Sequence, residues 1–118
     1  MKTSKLKPIV WIGTTIEDLR SSPKNVKDSI GYALYEAQKG IKPFKAKPMK
    51  GLSSVIEIKT DYLTDTYRTV YTVKLGERLY VLHVFKKKSK KGISTPKPDI
   101  SLIKSRLKIA HELAKEEK

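Results

Sequence analysis

Between residues 54 and 85 the chain carries three stretches of β-branched and aromatic residues in close succession. Residues 54–60 alternate apolar and polar side chains, and 67–74 and 79–85 are rich in Val, Thr and Tyr. That pattern predicts strands rather than helices. Leu75–Gly76–Glu77 supplies a hairpin turn between the last two, and 61–66 joins the first two. Three strands in sequence commit this part of the chain to an antiparallel sheet, and such a sheet must bury one face against other elements to be stable.

The flanking segments supply that cover. Ile9–Val10–Trp11–Ile12 is a short apolar run ended by Gly13, which reads as a buried strand with Trp11 in the core. Thr14 and Glu17 have the spacing of a capping box, predicting a short helix to about Arg20. Ser22–Pro23 starts a second helix, in which Val26, Ile30, Ala33, Leu34 and Ala37 form one apolar stripe and Gly40 ends it. Residues 41–51, with Pro43 and Pro48, read as an irregular basic connection. Thr95–Pro96 opens a final helix whose stripe is Ile100, Ile103, Leu107, Ala110 and Ala114. The expected order is β-α-α-β-β-β-α. This is an α+β fold: an antiparallel sheet of about four strands with an N-terminal helical hairpin and a C-terminal helix, the helices on one face. No repeat or linker divides residues 1–118, so a single domain is expected.

Charge narrows the function. Lys and Arg number 26 against 12 Asp and Glu, a formal net charge of +14. Self-repulsion at that charge opposes compaction, and a polyanionic partner offsets it. No apolar run approaches the roughly 20 residues of a membrane span, and Met1–Pro8 lacks the apolar stretch of a signal peptide, so a cytoplasmic protein is expected. Without cysteine there is no thiol chemistry, and two histidines, His83 and His111, make a histidine metal cluster unexpected. No cofactor or metal is called for.

If helices cover one face of the sheet, the other is free to meet RNA. Alternation puts Ile56 and Ile58 on one side and Val55, Glu57 and Lys59 on the other. If Lys59 pairs opposite Arg68, two cations share the open face; a one-residue slip separates them. Lys45, Lys47 and Lys50 on one flank, and Lys86, Lys87, Lys88, Lys90 and Lys91 on the other, would rim a groove. Phe44, Tyr62, Tyr67 and Tyr71 offer rings for stacking on bases. RNA can be cleaved by its own 2′-hydroxyl if a protein aligns it, moves two protons and stabilises the charged intermediate, which Lys and Arg can do directly. Lys59, Arg68, Glu57, Lys86 and Lys87 are the candidate catalytic residues, with Glu57 either a base or an anchor for a neighbouring cation. Each feature alone also has a plain reading. The lysine run can be a solvated loop, Arg68 an ordinary salt-bridged residue, Glu57 and Lys59 a surface pair, Tyr67 and Tyr71 core residues. His83 reads as a packed, hydrogen-bonded histidine and His111 as structural or exposed. Their coincidence with the net charge is what points to nucleic acid.

The succession Met49–Lys50–Gly51–Leu52, Ile56–Glu57–Ile58–Lys59, Tyr67–Arg68–Thr69–Val70–Tyr71, Val81–Leu82–His83–Val84–Phe85–Lys86–Lys87 and Thr95–Pro96 resembles the phage-related, HigB-like branch of the RelE/ParE toxin superfamily of type II toxin–antitoxin modules. The resemblance spans about residues 9–114. It implies a RelE-like fold, ribosome-dependent mRNA cleavage without a metal, and neutralisation by an antitoxin, often a helix-turn-helix protein. It also implies phosphate-handling roles for Arg68, for Lys59 where the family carries arginine, and for Lys86 and Lys87. Lysine keeps the charge at 59 but loses the planar fork of arginine. Two alternatives share these features: a ParE-like gyrase inhibitor, and a non-enzymatic RNA- or ribosome-binding domain. On the nuclease reading Arg68→Ala is expected to abolish toxicity with the fold intact.

Overall fold

A computed structural model describes residues 6–88 and 95–117. The elements are β1 (Ile9–Trp11), α1 (Thr15–Arg20), α2 (Lys24–Gln38), β2 (Ala46–Pro48), β3 (Ile56–Tyr62), β4 (Asp65–Thr72), β5 (Leu79–Lys88) and α3 (Lys97–Lys115). The fold is the expected α+β class with the expected helices, but the sheet has five strands in the order β1-β5-β4-β3-β2. Two differences from expectation produce this. β1 runs parallel to β5, pairing Ile9–Trp11 with Leu79–Val81, so the sheet is mixed. Within the connection expected to be irregular, Ala46–Pro48 pairs antiparallel with β3 as a three-residue edge strand. Pro48 is tolerated there because an edge strand needs only half its amides. Among the described residues, no helix is long and apolar enough to cross a membrane.

The helices start and stop for local reasons, not always those expected. Thr14 precedes α1 but makes no side-chain cap; its hydroxyl donates to Asp18 at 2.9 Å, so the Thr14–Glu17 box does not form. Ser22 likewise donates to the Asp18 carbonyl instead of accepting from an amide of α2, and Pro23 occupies the N-cap position. Gly40 ends α2 as expected. With φ at +87°, it lets the Gly40 and Ile41 amides fold back onto the carbonyls of Ala37 and Glu36, at 3.1 and 2.9 Å.

The larger correction concerns the faces of the sheet. Helix α2 buries its whole stripe against Ile58, Tyr67, Tyr71, Leu79, Val81 and Val84. Helix α3 does not join it; Ile103 and Ala110 pack on the opposite face with Val55, Val70, Tyr80 and Leu82. The reason lies in β4 and β5, whose side chains are apolar on both sides, and a sheet apolar on both sides needs two covers. A β-bulge contributes: Val70 pairs with His83 but Tyr71 with Val81, leaving Leu82 as the extra residue. Leu82 and His83 therefore both reach the α3 side, one into the core and one to polar partners on α3. What stays accessible on that face is a corner, where the N-terminal end of α3 meets β3 and β4.

Candidate functional site

In the β3–β4 register Lys59 stands opposite Arg68 and Glu57 opposite Val70, and in the β2–β3 register Lys47 stands opposite Glu57. The condition set by the sequence is met: Lys59 and Arg68 share one face. Arg68 is only 4% exposed. Its Nη1 donates to Glu57 Oε2 at 3.2 Å and to Thr95 Oγ1 at 3.1 Å, and the Thr95 hydroxyl donates to the same carboxylate oxygen at 3.5 Å. A guanidinium can be kept charged away from water only when held in this way. Lys59 and Lys50 are exposed at the lip. With Met49 and Ile100 as apolar walls, these residues line an open cavity of about 230 Å³.

The end of α3 that brings Thr95 here is held by a second polar cluster. His83 Nε2 lies 2.7 Å from Asp99 Oδ1, and Arg106 Nη1 lies 3.4 Å from His83 Nδ1 while donating to the Leu82 carbonyl at 3.0 Å. With an arginine donor facing Nδ1, the ring proton sits on Nε2 toward the carboxylate. The ring also stacks on Phe85, centroids 4.4 Å apart and planes at 17°. Phe85 is the register partner of Arg68 on β5. His83 is thus the packed, hydrogen-bonded residue expected, and it connects α3 to the row containing Arg68.

The remaining candidates divide. Lys87 pairs with Thr66 and shares the Arg68 face, whereas Lys86 falls on the α2 face, 3.8 Å from Asp65. Placing Lys86 beside Arg68 is therefore corrected by strand alternation. Lys88 pairs with Asp65 through the backbone; Lys90 and Lys91 lie outside the described residues. Lys45, Lys47 and Phe44 are exposed around β2, and Tyr62 is partly buried against the α2 core. Tyr67 and Tyr71 cannot offer their rings to RNA: they are 9% and 1% exposed, beneath α2. Burial pushes the Tyr71 phenol up to about 12. Thr95 is the site residue that sequence reasoning missed, having been assigned only to starting a helix. Among the described residues no three His, Asp or Glu side chains converge as metal ligands would.

Residues 17–108 match the family described as Phage derived protein Gp49-like (DUF891), a RelE-like toxin family. The matched span runs from α1 into α3 and includes Glu57, Lys59, Arg68 and Thr95. No curated protein and no solved structure matches the chain.

Proposed function

The chain belongs to the Phage derived protein Gp49-like family, which is associated with the toxins of toxin–antitoxin pairs, and from that premise we propose that it is a HigB-like endoribonuclease that cuts mRNA on the ribosome. The observation that carries this reading is the pairing of Lys59 with Arg68 across β3 and β4, one cation at the lip of an open cavity and the other fixed in its wall by Glu57 and Thr95.

The reaction needs an activated ribose 2′-oxygen, a stabilised pentavalent phosphorane and a protonated leaving group. Arg68, already oriented, offers a fixed positive charge to the phosphorane, so little reorganisation is needed as charge builds up. Lys59 and Lys50 take the ground-state phosphate from solvent and screen the same charge. The 2′-oxygen gives its proton to water and bonds to phosphorus, the bond to the 5′-oxygen breaks, and that oxygen takes a proton from water, leaving a 2′,3′-cyclic phosphate and a 5′-hydroxyl. Glu57 serves as the anchor of Arg68, because the oxygen that holds the guanidinium also holds Thr95. Lys87, on the same face, extends the positive field along the strand. The antitoxin partner, proposed to be a helix-turn-helix protein, neutralises the toxin by covering this corner.

The test is induced expression without an antitoxin. Growth arrest with mRNA cut inside translated regions, the new ends carrying cyclic phosphate, is the expected result. Arrest with intact mRNA and a DNA-damage response would refute it in favour of gyrase inhibition.

A further inference from the structure

A second concavity adjoins the Arg68 cavity across the edge of the sheet. β2 pairs with β3 only from Ile56 to Ile58, so among the described residues no strand lies against the outer edge of β3 beyond Ile58. Lys59 sits at this gap and lines both the Arg68 cavity and a cavity of about 350 Å³ on the α2 side. Tyr32, Phe44, Glu36, Lys45 and Asp61 surround the latter, over a floor that includes Ile58. Phe44 is 90% exposed and Tyr32 64%. Single exposed apolar residues need no explanation, but two large rings flanking one cavity do.

We propose that this cavity receives an unpaired nucleobase of the same RNA strand whose phosphate lies at Lys59 and Arg68. The inference rests on the nuclease reading above and adds to it a binding site with a base preference. The volume is that of a small-ligand site. Tyr32 and Phe44 provide the stacking surfaces that single-stranded nucleic acid uses without regard to sequence. Lys45 and Lys59 stand where the flanking phosphates would pass. Glu36, when ionised, offers acceptors and no donor, so it rewards bases that present an exocyclic amino group, adenine, cytosine or guanine, and offers less to uracil. Continuity with the Arg68 cavity through a single lysine favours one strand threading both over a separate protein segment.

The test is fluorescence anisotropy of the full chain with short single-stranded oligoribonucleotides, 2′-O-methylated so that they cannot be cut. Phe44→Ala and Tyr32→Ala are expected to weaken binding about 10-fold each. The salt dependence should stay unchanged, because stacking releases no counterions. Glu36→Gln is expected to reduce the discrimination against oligouridine. Ring variants that bind like the parent while Lys59→Ala binds more weakly would overturn the base site and leave the catalytic reading standing. Ring variants that lose antitoxin binding but keep RNA binding would overturn it in favour of a protein-docking surface. If the parent takes up no free oligonucleotide, cleavage positions are mapped on translating ribosomes, where unchanged positions and rates in the ring variants would overturn the base site. A parent that neither binds nor cuts RNA overturns both readings.

Discussion

Lys59 and Arg68 are direct register partners on one face of the sheet, yet Lys59 is exposed and Arg68 is 4% exposed. The difference comes from α3, whose N-terminal end sets Thr95 over Arg68 and leaves Lys59 clear. The two cations are therefore separable by mutation, one through binding and the other through stability.

Arg68→Ala will not be the clean probe that a surface arginine would be. It removes the partner of a largely buried carboxylate, which costs on the order of 3 kcal/mol, measurable as a lower urea midpoint. Toxicity will be lost in the same variant. Arg68→Met combined with Glu57→Leu replaces the pair by apolar groups and is expected to recover most of the stability while remaining non-toxic. Recovery of toxicity in that double variant would remove Arg68 from the mechanism.

Lys59→Ala changes an exposed side chain and is expected to alter stability by about 0.5 kcal/mol or less. RNA affinity will fall, and the log–log salt slope will shrink by roughly 0.7, one single-strand phosphate contact. Lys59→Arg will restore the slope. Anisotropy titrations from low to moderate salt check this, and an unchanged slope in Lys59→Ala would exclude a phosphate contact there.

Alkaline pH probes both faces of the sheet, Tyr71 under α2 and Tyr80 under α3. Tyr71 has its phenol raised from 10.0 to about 12 by burial. Tyr80 is shifted in the same direction by burial and then by its hydrogen bond to Glu117. Above pH 10 the unfolded chain releases these protons before the folded chain does, so stability falls as pH rises, for Tyr71 from 10 to about 12. For Tyr71 the slope is about 1.4 kcal/mol per pH unit across that window. Tyr71→Phe will flatten this decline, as followed by denaturant unfolding across the window.

Acid pH probes the far end of α3. Glu117 accepts from the Tyr80 hydroxyl and from the Glu77 amide, and lies 3.8 Å from Arg78. These partners, the Tyr80 hydroxyl foremost, hold its carboxyl below the usual range. Its stabilising contribution is full above the unfolded carboxylate value and is lost as pH falls through the lower folded value. Glu117→Gln will lower the melting temperature at neutral pH, and the gap from the parent will close in acid. A gap that persisted at pH 2 would show that the carboxylate charge is not what ties α3 to the β4–β5 turn.

Much of this site follows from alternation. Once β3 and β4 are antiparallel, Glu57, Lys59 and Arg68 must share a face if the register is right, and Ile56 and Ile58 must take the other. The same alternation forbids Tyr67 and Tyr71 from joining Arg68 on an RNA-facing surface, since neighbours on a strand point opposite ways. What could not be read was the side on which α3 docks, because an amphipathic stripe fits either apolar face equally well. The role of Thr95 depends on that choice and was hidden with it. β2 escaped notice because three residues with a proline are too short for any periodicity.

β1 meets β5 across about 70 positions of chain, Ile9 against Leu79. Contacts so distant cost much loop-closure entropy before they reward it, so the central hairpins should condense first and this outer edge last. Until it does, the apolar margin at Leu79–Val81 is bare, which makes the nascent or partly folded chain prone to self-association. Dilution and rapid synthesis past that point, more than final thermodynamic stability, should govern how much soluble protein is recovered.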